Sequence, residues 1–194
     1  MEFSIKLQEK TAKSYLSYSS VKHALNDMRA FELYMKGKLK KESPALYFGS
    51  MYDMMLFEPQ KAKDTYQVIN HDEVMEKMSD RVKSLKNPKS SSEYKAAVAQ
   101  LKTEAIESEK TLVDESDWKT AHYMVRRLVD SGVKDQYLKG EYQLEFNEFI
   151  EDIPVRGFFD CKGLYVADSK STRSLSGFRY DVNKFSYDIQ AYIY

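Results

Sequence analysis

Val155-Arg156-Gly157-Phe158-Phe159-Asp160 and, after a short turn, Leu164-Tyr165-Val166-Ala167-Asp168-Ser169-Lys170 are the stretches on which the fold of this chain is decided. Each is a short apolar run closed by an aspartate, and each predicts a short strand. Just upstream, Tyr142, Leu144 and Phe146 alternate with Glu141, Gln143, Glu145 and Asn147, the period of two that marks a half-buried strand. Glu151-Asp152 supplies the turn between the first two strands. Residues 182–194 return to a helical pattern and carry Gln190 and Tyr194. From Glu141 onward the sequence therefore predicts a three-strand meander followed by a helix.

The part before it reads as helical. Ser19 and Ser20 are placed to cap a helix through Val21-Lys22-His23-Ala24-Leu25. A second helical stretch, Ala30 to Met35, ends near Gly37. Residues 36–43 form a basic loop. Pro44 opens an apolar helix that runs to Phe57 and is stopped by Glu58-Pro59. Residues 72–87 and 91–109 predict surface helices, separated by Asn87-Pro88. Residues 115–131 predict a better helix, with Trp118, Ala121, His122, Val125, Leu128 and Val129 on one face and Gly132 as its stop. The expected fold class is α/β, a small mixed central sheet flanked by helices with an N-terminal helical portion. Residues 1–135 make the helical portion and 136–194 the strand-bearing core, as one integrated domain. The helical pattern is still running at Tyr194, which reads as a piece of a longer protein.

The composition is that of a globular chain, 42% apolar and 31% charged over 194 residues. Lys plus Arg and Asp plus Glu both total 30, so the net charge is zero, which argues against indiscriminate coating of DNA but leaves room for a local basic groove. A single cysteine, Cys161, permits neither an intramolecular disulfide nor a cysteine-based zinc site, and a reducing cytoplasm is the expected compartment. His23, His71 and His122 are scattered. The start lacks the apolar core of a signal peptide, and no apolar run approaches the ~20 residues needed to span a bilayer, so no membrane association is expected.

The chemistry lies in the two aspartates, Lys170 and the helix after them. In Asp168-Ser169-Lys170 a period of two sends the acid and the amine to one face of a strand. The carboxylate can hold a hard divalent cation, with the Ser169 carbonyl as an extra ligand, while the ammonium orients a water. Asp160, ending the neighbouring strand, can reach the same ion. Asp-x-Lys alone is common by chance. Its spacing from Asp160, and the Gln190-x-x-x-Tyr194 on the next helix, make the set specific. The bland reading of each lone aspartate is a solvated strand end. Cys161 should point to the opposite face from Asp160 and be inert. Most of the 15 tyrosines and the Met51–Met55 stretch read as core. Lys36, Lys38, Lys40 and Lys41 read as a solvated loop able to touch phosphates.

These residues resemble the PD-(D/E)xK nuclease superfamily, in particular its RecB-like and phage RecE-like exonuclease branch. That branch combines a strand ending in Asp, a strand bearing Asp-x-Lys-Thr and a helix bearing Gln-x-x-x-Tyr. Here Asp160, then Asp168-Ser169-Lys170, then Gln190 and Tyr194 match, with Ser171 where the family has Thr. Upstream, Gly49-Ser50 and Glu58-Pro59 match a family helix whose metal-binding His is replaced by Asp53. The Ser-rich Ser17–Lys22 stretch matches as well, whereas residues 60–135 match weakly.

The resemblance implies a restriction-endonuclease-like core and a Mg²⁺-dependent exonuclease, with Mn²⁺ as a possible substitute. Its DNA substrate would be degraded from a duplex end, in phage-type recombination beside a single-strand annealing protein, and such enzymes often form rings. It implies Asp53, Asp160 and Asp168 as metal ligands, Lys170 orienting the water, and Gln190 and Tyr194 holding the site and the DNA end. Glu145, on the polar face of the first strand, is a further candidate ligand; Ser171, Arg173 and Arg179 are candidate DNA contacts. The rivals are an endonuclease of the same superfamily and a non-catalytic DNA-binding module with this fold.

Overall fold

A computed structural model describes residues 14–39, 43–172 and 174–194; Lys40, Lys41 and Arg173 lie outside them. The chain divides into two compact units. One takes in the described residues up to Leu46 together with Asp135–Tyr194; the other is Tyr47–Lys134.

The first unit begins with helix α1 (Tyr18–Asn26) and helix α2 (Met28–Met35). Ser17 caps α1, not Ser19 or Ser20. Its hydroxyl accepts the Ser20 N–H while the Ser20 hydroxyl accepts the Ser17 N–H, a reciprocal capping box. Ser20 therefore sits three residues inside the helix. Asp27 ends α1 and caps α2, accepting the Arg29 N–H at 2.9 Å.

Helix α3 (Pro44–Phe57) leads into the second unit, with Met51, Tyr52, Met55, Leu56 and Phe57 buried. There follow helix α4 (Pro59–Thr65), strand β1 (Tyr66–Val68), helices α5 (His71–Glu76) and α6 (Asp80–Lys83), helix α7 (Ser92–Glu107), strand β2 (Thr111–Val113) and helix α8 (Glu115–Asp130). Strands β1 and β2 pair in parallel, Tyr66 opposite Thr111. The helix expected over 72–87 is broken at Ser79. Its N–H and hydroxyl both donate to Glu93, at 2.7 and 2.8 Å, a side-chain alternative to the helical ladder. Ile69, Val74, Met78, Val82 and Tyr94 pack as the core of this unit. On α8, Trp118, Ala121, Val125 and Leu128 turn inward, whereas His122 and Val129 are exposed.

After helix α9 (Val133–Tyr137) the first unit resumes with strands β3 (Gly140–Ile150), β4 (Ile153–Gly163) and β5 (Val166–Ala167), then helices α10 (Phe178–Phe185) and α11 (Tyr187–Ile193). The strands form an antiparallel meander in the order β3-β4-β5. Leu16 adds a parallel bridge to β4 at Val155, its N–H donating to the Pro154 carbonyl at 2.9 Å, so the small sheet is mixed as expected. One face carries the apolar residues: Val155, Gly157, Phe159 and Cys161 are buried at alternating positions of β4. Phe146 stacks on Phe159, 4.6 Å between ring centres. Cys161 thus faces away from Asp160 and is inaccessible, its thiol pushed up by burial.

The helix expected over 182–194 is two helices, broken at Ser186, which adopts φ 56°. The Phe185 carbonyl, which a continuous helix would use internally, accepts the Tyr18 hydroxyl of α1 instead. Among the described residues no helix is long and apolar enough to cross a membrane.

Candidate active site

Strand register sets the site. Cys161 pairs with Ala167 and Lys162 with Val166, so one step further along the same ladder Asp160 stands opposite Asp168. The chain turns out of β5 at that point, and the Ser169 N–H donates to Asp160 Oδ2 at 2.7 Å. Lys170 comes back to form an ion pair with Asp168 Oδ2. From α11, Gln190 Nε2 donates to Asp168 Oδ1 at 2.7 Å. Gln190 and Ser20 are the buried polar side chains among the described residues, and the Gln190 amide is spent on this carboxylate. Across the strand on the other side, Gln143 Nε2 faces Asp160 Oδ1 at 3.4 Å. Four residues singled out from sequence, Asp160, Asp168, Lys170 and Gln190, are thereby brought into one hydrogen-bonded cluster.

Tyr194 is brought in beneath it. Its ring meets Phe146 and Phe159 edge-on, each at 5.5 Å between centres. It reaches the sheet because residue 157 is glycine: a Cβ there would lie 2.5 Å from the Phe146 ring and 3.0 Å from the Tyr194 ring. Burial pushes the Tyr194 phenol up, so it stays a neutral donor at physiological pH.

The electrostatics separate Asp160 from an ordinary surface carboxylate. Burial, and then the charge of Asp168, push the Asp160 carboxyl up, against the opposing pull of the Ser169 N–H, Lys170 and Gln143. Removal from water and a like charge both disfavour ionisation. Asp160 is half-buried, Asp168 is more open, and the one ammonium at the pair, that of Lys170, is bonded to Asp168, so two acids share one amine and the site is short of positive charge. That donor set fits a hard divalent cation. Among the described residues no cluster of three or more His, Cys, Asp or Glu side chains accompanies them.

The other candidates of this unit stand outside the cluster. Glu145, two positions along β3 from Gln143, pairs with Arg156, which also donates to the Tyr15 hydroxyl. Ser171 is exposed, and so is Arg179, which donates to the Tyr180 hydroxyl at 2.9 Å. Asp53 is half-buried on α3 in the second unit, close enough to help raise the Tyr66 phenol.

The sequence reading missed two tyrosines. Tyr187 lies under Lys170, whose ammonium sits 5.3 Å from the ring centre. Tyr18, far away in sequence, is pushed up to about 12 by burial, then by Tyr187 and Asp168. No local pattern marks either one: their relevance comes from α1 packing on the α10–α11 junction.

The model of one family, described as a PDDEXK-like domain of unknown function (DUF3799), matches residues 17–194. Neither a curated protein nor a solved structure matches the chain.

Proposed function

From the premise that the chain belongs to this PDDEXK-like family, and so to the PD-(D/E)xK nuclease superfamily, we propose that it is a metal-dependent deoxyribonuclease. In this reading it is an exonuclease of the RecE-like type that degrades duplex DNA from an end. The observation that carries the reading is the register that brings Asp160 beside Asp168, with Lys170 and Gln190 both bonded to Asp168 and the Ser169 N–H to Asp160.

Asp160 and Asp168 would hold Mg²⁺, or Mn²⁺ in its place, with a backbone carbonyl such as that of Ser169 as a further oxygen donor. The bound ion supplies Lewis-acid polarisation of the phosphoryl group and a water acidic enough to attack at neutral pH. The chain's own residues do the rest. Gln190 fixes the Asp168 carboxylate by donating to Oδ1, leaving its orientation set by α11. The Ser169 N–H does the same for Asp160. Lys170 keeps a positive charge beside the pair, where it orients the attacking water and offsets charge gathering on the phosphoryl oxygens. Tyr194 props α11 against the sheet. Glu145 is a candidate outer carboxylate on the same strand as Gln143. Ser171 and Arg179, both exposed beyond Lys170, are candidate contacts for phosphates of the DNA backbone, with Arg173 between them in sequence. A role in phage-type recombination, with an annealing protein taking up the exposed strand and a ring of subunits around the duplex, completes the reading.

The test is degradation of end-labelled linear duplex beside a closed circle, with Mg²⁺, with Mn²⁺ and with chelator, using Lys170→Ala as control. Loss of the linear DNA alone, dependent on metal and abolished in Lys170→Ala, is the expected result. Cutting of the circle would convert the reading to an endonuclease. Binding of DNA without cutting under any metal would overturn the enzyme reading in favour of a binding module.

A further inference from the structure

Among the described residues four non-glycine residues have positive φ, and three of them sit where a chain reverses. Glu109 comes after α7, Glu151 makes the β3–β4 turn, and Ser186 separates α10 from α11. The fourth, Gln143 at φ 51°, lies inside an eleven-residue strand. Side chains with a Cβ avoid this region, at a cost of about 1–2 kcal/mol, and such residues persist only where the surroundings demand them.

The position is specific. Tyr142 pairs with Cys161 and Leu144 with Phe159, so Gln143 belongs opposite Asp160, and that is the one rung between Gly140 and Ile150 that the ladder lacks. No residue is inserted, since the same pairing offset holds on both sides. The strand twists out of extended geometry at one residue and then resumes. What the distortion yields is a contact: Gln143 Nε2 at 3.4 Å from Asp160 Oδ1. The arrangement mirrors the other acid, where Gln190 Nε2 donates to Asp168 Oδ1. Each member of the carboxylate pair is thus met by one glutamine amide, one from the helix side and one from the sheet side. The polar alternation of β3 by itself marks Gln143 only as a solvated position.

We propose that Gln143 is a positioning residue of the cation site: β3 is held in a left-handed conformation at this residue so that its amide orients Asp160 toward a divalent ion shared with Asp168. This rests on the metal-dependent function proposed for the same carboxylates. An amide is suited to the task because it donates to a carboxylate oxygen without adding charge that would compete with the cation. Groups that orient ligands in this way carry about 10- to 100-fold in metal affinity.

The test uses the full chain as wild type, Gln143→Ala and Gln143→Gly. Mn²⁺ and Mg²⁺ affinity is measured by calorimetric titration, and melting temperature is measured in chelator. Both variants should bind Mn²⁺ at least about tenfold more weakly than wild type. Gln143→Gly should melt about 2–4 °C above Gln143→Ala, because glycine adopts positive φ without strain. A purely structural kink would move the melting temperature and leave the affinity untouched. Wild-type affinity in both variants overturns the proposal, and so does a glycine variant no more stable than the alanine one. Failure of wild type itself to bind either cation overturns the metal-dependent reading as well, which separates the two failures.

Discussion

Among the described residues, a hydrogen-bonded cluster around Asp114 in the second unit and one around Asp160 and Asp168 in the first are built on opposite terms. In the second unit Asp114 caps α8, accepts the Ser116 N–H and hydroxyl at 2.8 and 2.7 Å, and meets His71 Nε2 at 3.0 Å. His71 in turn meets the Tyr94 hydroxyl through Nδ1. Hydrogen bonds from the Ser116 side chain first, with the Ser116 N–H and His71 adding to them, hold the Asp114 carboxyl down at about 2. In the first unit Asp160 is pushed the other way, by burial and by Asp168. A titratable Asp–His–Tyr chain invites a catalytic reading, yet every partner of Asp114 stabilises its charge and ties helices together. Asp160 is ionised only against its surroundings. The cluster whose acid is pushed up by its surroundings is the one expected to meet a ligand.

The comparison is broken most directly by removing the acid that both Lys170 and Gln190 grip. Asp168→Ala should lower DNA degradation by on the order of 10³-fold, and Lys170→Ala by about 10²–10³-fold, read as initial rates at saturating metal. Asp114→Ala should leave the rate per folded molecule unchanged within about twofold, since the cluster in the second unit is structural. A rate loss there comparable to that of Lys170→Ala would erase the distinction.

The next largest effect concerns the packing beneath the site. Gly157→Ala places a methyl 2.5 Å from the Phe146 ring and 3.0 Å from the Tyr194 ring. Overpacking of this kind costs about 1–3 kcal/mol. Denaturant unfolding should show that loss, with activity falling further than stability because Tyr194 and α11 are displaced together. A fully active, wild-type-stable Gly157→Ala would mean that Tyr194 does not depend on the sheet.

How much of this was legible in the sequence depends on distance along the chain. The alternation of Tyr142, Leu144 and Phe146, and the aspartates closing two apolar runs, placed the meander and its acids, because strand period and turn residues are local signals. Asp168, Lys170 and Gln190 are marked by their spacing on adjacent elements. The break at Ser186 could not be read, since its cause is the Tyr18 hydroxyl bonding to the Phe185 carbonyl, a contact made across most of the chain. The short β1–β2 pair was missed for a different reason: three residues per strand carry no period. The break at Ser79 needed Glu93, fourteen residues on. Gln143 looked like any polar strand position until the register put it against Asp160.

Stability against pH sharpens the contrast, with a smaller effect. Asp114 has a folded value of about 2 against an ordinary 3.8, so its ionised form stabilises the fold. That contribution is present above pH ~4 and is lost as pH falls through about 2. Because the side chain is 44% exposed, screening limits the electrostatic part to roughly 1 kcal/mol or less. Asp114→Asn should therefore unfold more easily at pH 7 than wild type, and the difference should vanish near pH 2. A difference independent of pH would assign the effect to capping alone, which asparagine retains.

Asp160 gives the smallest shift and the opposite sign. Its folded value lies above the ordinary 3.8, so the folded chain keeps a proton that the unfolded chain has released. Stability then falls as pH rises from about 4 through the raised value, and the penalty persists at neutral pH. Asp160→Asn removes the charge and keeps the shape. Its side-chain oxygen still accepts the Ser169 N–H, and a turn of the Gln143 amide offers an acceptor to the new amide nitrogen. In chelator at pH 7 the variant should melt above wild type, because the charge that burial disfavours is gone. With millimolar Mn²⁺ the order should reverse, because wild type gains the binding free energy of the ion and the variant does not. Equal melting in chelator would show that burial of Asp160 costs the fold nothing. Equal stabilisation of both proteins by Mn²⁺ would remove Asp160 from the cation site altogether, leaving the acid of the first unit no different in kind from Asp114.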